Sequence, residues 1–260
     1  MEKVQLIDVS KCMGCRSCQV ACKQWNELPA MSSINSGNYQ NPPDLQAYTW
    51  TLVRFQEVSD KNEGVKWLFR KDGCMHCTDA TCVKLCPAGA RFRLESGAIG
   101  TDDEKCVGCQ SCVAACPFGK ARYSEKTNKA YKCNLCTNRV ENKLPPACVK
   151  ACPTGALMFG EKTEMLKLAY NRVKEMGGDA SVYGDKFFGG THVIYVLEEK
   201  VNLYNALPAK PKVASSVIFW KAFQKPFGVL EAGAGLAVWA VSAFFQRRSD
   251  LDKLRLKNGG

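Results

Sequence analysis

The chain has 260 residues, of which 46% are hydrophobic and sixteen are cysteine, with 36 Lys and Arg against 25 Asp and Glu. That length and apolar fraction suit one or two globular domains and exclude a disordered tail; a disulfide knot would be shorter and denser in cysteine. A formal charge of +11 invites a nucleic-acid or anionic-membrane reading only if the cysteines are neutral.

The opening MEKVQLIDVSKC holds no continuous apolar stretch, so no secretory signal is expected. The cysteines then meet the reducing cytoplasm, where structural disulfides seldom form. VQLIDV at 4–9 predicts a strand leading into the first of four cysteine quartets, Cys12-x2-Cys15-x2-Cys18-x3-Cys22. Residues 23–47, with NELPA, INSGN and NPPD, form a loop rich in turn residues. YTWTLVRFQEV and VKWLFR, joined by SDKNEG, predict a hairpin over about 48–70. The second quartet is Cys74-x2-Cys77-x4-Cys82-x3-Cys86, followed by Pro87. AIGTDDEK at 98–105 predicts a strand or turn entering Cys106-x2-Cys109-x2-Cys112-x3-Cys116, followed by Pro117. The last quartet is Cys133-x2-Cys136-x11-Cys148-x3-Cys152, followed by Pro153, and its TNRVENKLPPA insert is an excursion over a metal centre. TEMLKLAYNRVKEM at 163–176 has helical spacing of apolar residues and stops at Gly177-Gly178, and THVIYVL at 191–197 predicts a strand.

The bacterial ferredoxin run is C-x2-C-x2-C-x3-C-P, with a fourth cysteine that serves the other cluster of a pair. Two quartets keep its full spacing, although the first has Lys23 in place of the proline. The other two keep the opening C-x2-C and the closing C-x3-C-P. Thiolates at x2 intervals wrap a tight loop around one cubane, and the x3 step is about one helical turn, so a short helix (SCQVAC, SCVAAC) carries the fourth thiolate away. Proline there disfavours further helix. Each quartet is half of a two-cluster module, so four quartets predict four [4Fe–4S] clusters. Structural zinc closes on two C-x2-C pairs with four ligands and does not use a triple x2 run. Disulfides within such close triplets have poor geometry. Sixteen thiolates with four oxidised cores of about +2 each leave roughly +3 on the holo protein, which removes the main support for nucleic-acid binding. A free-standing enzyme with substrate on an open iron would need a missing thiolate, and none is missing.

From Phe227 the chain reads FGVLEAGAGLAVWAVSAFF, with Glu231 as its one charge. At 1.5 Å per residue this run spans ~28 Å, the thickness of a bilayer core. A transmembrane helix over 227–246 is expected, with Gly228, Ala232, Gly233, Gly235 and Ala237 allowing close approach of a second helix. Arg247, Arg248, Lys253, Arg255 and Lys257 follow it and favour a cytoplasmic C-terminus, while Lys221 and Lys225 on the other flank weaken that bias.

LIDVSKCMGCRSCQVACKQWNEL, RKDGCMHC, YKCNLCTNR, ACVKACPTGALMFG, GGTHVIYVL, NLYNALP and FWKAFQKPFG together resemble the iron–sulfur (beta) subunit of membrane-bound formate dehydrogenases. That subunit is one of the four-cluster electron-transfer subunits of molybdenum or tungsten bis-pterin oxidoreductases. The resemblance implies an α+β fold: two ferredoxin-like two-cluster modules, an inserted β-hairpin and one C-terminal transmembrane helix. It implies a four-cluster domain at 1–204, a linker at 205–226, the helix at 227–246 and a basic tail at 247–260. Quartets 12–22 and 133–152 form one module, and 74–86 and 106–116 the other. The ligand sets it implies are Cys12, Cys15, Cys18 and Cys152 for cluster A, and Cys22, Cys133, Cys136 and Cys148 for cluster B. Cluster C takes Cys74, Cys77, Cys82 and Cys116; cluster D takes Cys86, Cys106, Cys109 and Cys112. The implied function is non-catalytic: electrons pass in the order A, B, C, D from a bis-pterin molybdenum or tungsten catalytic subunit to a membrane cytochrome b and quinone. The same role in a dimethyl sulfoxide, polysulfide/thiosulfate or nitrate reductase type of enzyme is the alternative. Some nitrate reductase relatives carry an aromatic residue at the place of Cys109. The implied location is the cytoplasmic membrane, single-pass, with the cluster domain on the periplasmic side, exported folded with a partner that carries a twin-arginine signal. His76 reads as a local hydrogen-bonding group, His192 as a strand residue, and Trp25, Trp50 and Trp67 as core or interface aromatics.

Overall fold

A computed structural model describes residues 2–34, 37, 39–60 and 64–213. Strand β1, Lys3–Asp8, follows the alternation of VQLIDV. It pairs in parallel with β10, Val193–Leu197, so that Leu6 meets Ile194. On its other edge it pairs antiparallel with β8, Leu157–Glu161, where Leu6 meets Met158. β9, Ser181–Tyr183, closes a four-stranded sheet in the order β8-β1-β10-β9.

Successive side chains of a strand point to opposite faces, and the two faces of this sheet have different tasks. Val4, Leu6, Ile194 and Val196 pack with Ala169 under α6, Lys162–Met176, together with Met165, Leu166 and Val173. Ile7, Val193, Tyr195 and Leu197 belong to the larger core that holds Cys18, Cys148, Met75 and Leu135. Gln5, fully buried and two positions from Ile7, shares this second face. Helix α6 ends where the glycine pair was expected: Gly177 takes a positive φ of 65° and donates its N–H to Val173 O at 3.0 Å.

The hairpin is β2, Leu52–Asp60, and β3, Gly64–Asp72. It is displaced from the predicted 48–70. Residues 46–49 form a tight bridge instead, with Trp50 Nε1 donating to Ala47 O, and β3 continues two residues further to bring Lys71 and Asp72 into the interior. The remaining elements are short. Helices α1, Ser17–Trp25, α2, Thr81–Lys84, α3, Ser111–Ala114, and α5, Ala147–Lys150, each carry or adjoin the x3 step of a quartet. Helix α4, Thr137–Glu141, starts the insert of the fourth quartet. Two hairpins of three-residue strands, β4 Arg91–Arg93 with β5 Ile99–Thr101 and β6 Arg122–Ser124 with β7 Lys129–Tyr131, link the second quartet to the third and the third to the fourth. Among the described residues no helix is long and apolar enough to cross a membrane; the run expected at 227–246 lies outside them.

Candidate metal centres

The opening C-x2-C loop of each quartet uses one local device. The second intervening residue is left-handed in each, with φ of 72° at Gly14, 48° at His76, 70° at Gly108 and 58° at Leu135. This conformation turns the backbone N–H back toward the first cysteine. His76 N lies 3.4 Å from Cys74 Sγ and Leu135 N 3.4 Å from Cys133 Sγ. At Gly14 the conformation is combined with crowding, since a Cβ there would come within 3.2 Å of Phe55 and Phe69. Glycine meets both demands without a side chain.

The cysteines, none of them in a disulfide, come together across quartets. Burial pushes the Cys12 thiol up, and the charges of Cys152 and Cys15 add to it. Cys18 is pushed up to about 12 by burial, with Cys148, Cys12 and Cys15 beside it. Cys22 is raised by burial and then by Cys133 and Cys148. Cys77 is raised by burial and by Cys74, Cys116 and Cys82. Cys133, at about 12 through burial, feels Cys148, Cys74 and Cys136. Cys86, Cys106, Cys109 and Cys112 line a single cavity with Arg91 and Ala130. Pairs such as Cys12 with Cys152 and Cys77 with Cys116 join first to fourth and second to third quartets.

Further donors surround the sulfurs. Gln5 Nε2 donates to Cys148 Sγ at 3.3 Å, Lys120 N to Cys116 Sγ at 3.2 Å, and Arg91 Nη2 to Cys112 Sγ at 3.7 Å. Ser17 Oγ sits 3.4 Å from Cys15 Sγ and Ser111 Oγ 3.5 Å from Cys109 Sγ. The charge balance of the interior also fits an anionic cargo. Among the described residues Arg54, Arg70, Lys71, Arg91, Lys120, Lys132 and Arg139 are buried, whereas the buried carboxylates are Asp8 and Asp72. Such a surplus of buried cations is costly unless negative charge accompanies it, and thiolate-ligated clusters carry that charge. For Lys71, burial works against the ammonium, but the sulfurs of Cys148 and Cys133 outweigh it and hold the side chain charged.

Two family models described as 4Fe-4S dicluster domains match residues 11–90 and 65–162. The formate dehydrogenase-O iron-sulfur subunit of Escherichia coli (strain K12) is 47% identical over 250 residues, covering 94% of this chain and 82% of the relative. The chain belongs to the family of formate dehydrogenase iron–sulfur subunits. The nitrate-inducible formate dehydrogenase iron-sulfur subunit of the same organism is 46% identical, over 90% of this chain and 83% of the relative. The formate dehydrogenase iron-sulfur subunit of Haemophilus influenzae is 45% identical, over 94% of this chain and 80% of the relative. The two dicluster domains and sixteen cysteines accommodate four [4Fe–4S] clusters.

Sequence reasoning missed Gln5, Lys71, Arg91 and Lys132. Only the basic excess of the composition hinted at such residues, without placing them. The conspicuous residues behave structurally. His76 Nδ1 accepts from Ile99 N at 2.9 Å, and His192, just before β10, sits with Nδ1 2.9 Å from His76 O. Trp25 and Trp67 are partly exposed rather than core residues, and the Arg139 guanidinium covers the Trp25 ring at 4.4 Å.

Proposed function

We propose that this chain is the non-catalytic electron-transfer subunit of a formate dehydrogenase, holding its four clusters in the crossed sets A to D given above. When bound, each cluster takes up and returns one electron. The observation that carries the reading is the order of sulfur neighbours. Cys18 of set A lies beside Cys148 of set B, and Cys133 of set B beside Cys74 of set C. Arg91 then links Cys82 of set C with Cys112 of set D. That order of electrostatic neighbours favours the order A, B, C, D. The chain's own groups hold the thiolates, donate to their sulfurs and supply buried positive charge.

Cys15 in set A and Cys109 in set D are the exposed cysteines, which suits entry at A from a bis-pterin catalytic subunit and exit at D toward a membrane cytochrome b and quinone. The division into residues 1–204, a linker at 205–226, a membrane anchor at 227–246 and a cytoplasmic tail at 247–260 rests on the apolar run and the basic residues after it. The cluster domain then faces the periplasm. Purification from membranes tests the reading. A pterin-containing partner that reduces a dye with formate should accompany the chain, and a partner active on another substrate would refute the formate assignment.

A further inference from the structure

Among the described residues, six of the seven buried cations have a carboxylate or a backbone carbonyl within reach. Arg54, Arg70 and Lys120 share Asp72. Arg91 donates to Ala130 O, Lys132 to Ile99 O and Arg139 to Pro145 O, each at 2.7 Å. Lys71 is different. Only 2% exposed, it has one hydrogen-bond acceptor, Gln5 Oε1, at a long 3.4 Å. The next residue, Asp72, is saturated by the other three cations and Gly73 N. The groups that favour its charge are chiefly sulfurs, Cys148 and Cys133 first, with the Tyr195 phenol and then Cys18 after them. Gln5 completes the link, because its Nε2 donates to Cys148 Sγ at 3.3 Å while its Oε1 faces the ammonium.

We propose that Lys71 is the shared counter-cation of clusters A and B, and that its charge, together with the Gln5 bridge to Cys148, raises the reduction potential of both. The proposal rests on the crossed ligand sets above. Its physical basis is differential stabilisation. Reduction adds one negative charge to a cluster, and a fixed positive charge in a low-dielectric interior favours that form more than the oxidised one. Burying an ammonium without a carboxylate is otherwise so unfavourable that a neutral side chain would serve the packing better. Lys71 touches no reacting atom and is a positioning residue whose signature is a potential.

The experiment is an equilibrium redox titration of the purified holo complex, followed by electron paramagnetic resonance after iron and sulfide have been counted. In Lys71→Met with full iron, two of the four one-electron reduction constants should fall at least tenfold, about 59 mV each, while the other two stay in place. Lys71→Arg should keep the wild-type values. Four unchanged midpoints, or four that fall together, would overturn the proposal. Where Lys71→Met does not load, Lys71→Gln is titrated and judged by the same two criteria. If both neutral variants lose the iron of two clusters while Lys71→Arg retains it, the charge itself holds those clusters, as proposed. Loss of the same iron in Lys71→Arg would instead assign the position to packing. A wild-type chain without iron and sulfide would refute the cluster reading itself, before any variant is made.

Discussion

Asp72 concentrates the electrostatics of the hairpin in one side chain. It is fully buried and receives Arg54 Nε at 2.9 Å, Arg70 Nη1 at 3.2 Å and Lys120 Nζ at 2.7 Å. Burial alone would raise its pKa, but Arg70, then Lys120 and Arg54, hold the carboxyl well below the usual range. Removing one partner of a buried ionic set leaves the others uncompensated and costs about 3–5 kcal/mol. Asp72→Asn should therefore lower the guanidinium midpoint at which the clusters bleach, and an unchanged midpoint would show that the three cations do not depend on it. Cys152 tests a different matter, the crossing of the ligand sets. Cys152→Ser should alter the same spectroscopic signal as Cys15→Ser. A match with Cys136→Ser instead would place Cys152 with the fourth quartet's own cluster and contradict the assignment.

At the level of elements, the long periodic segments and the quartets were legible, as were the short helices at SCQVAC and SCVAAC and the strand entering the third quartet; the other short strands were not. Strands β1 and β10, helix α6 and the hairpin carry enough alternation or helical spacing to be read directly. β4, β6 and β7 are three residues each, too short for any periodicity, and exist because the chain must turn between quartets. β8 and β9 went unread for a related reason: pairing with β1 and β10 rather than local pattern defines them. The hairpin's inner end lies beyond the expected boundary because Lys71 and Asp72 interrupt the apolar pattern of VKWLFR, yet are buried, with cysteine sulfurs and neighbouring cations as their partners. The cysteine groups themselves were legible because cluster geometry constrains spacing more tightly than packing does. On α6, Ala169 is fully buried against the sheet and Leu168 is exposed. Ala169→Phe should destabilise by about 1–3 kcal/mol through overpacking, and Leu168→Ser by less than about 0.5 kcal/mol. Equal effects in a guanidinium titration would mean that the helix does not seat on the sheet by this face.

Across the whole molecule, the +11 formal charge becomes intelligible as compensation for bound anionic centres, with Lys71, Arg91, Lys132 and Arg139 buried near the cysteines. The proposed direction of transfer makes a prediction of its own. Cys109→Trp, in a stably assembled complex, should leave dye-linked formate oxidation nearly intact and sharply reduce quinone-linked turnover. Full quinone reduction would show that D is not the exit. Protease added to intact spheroplasts should digest the cluster domain, and complete protection would put that domain in the cytoplasm.

All of these expectations depend on the content of the four centres, and one measurement reaches it directly. Metal and acid-labile sulfide are determined on chain purified without oxygen. Four [4Fe–4S] clusters require about sixteen irons and about sixteen sulfides per chain. Stoichiometric zinc with little iron and no sulfide would contradict the account.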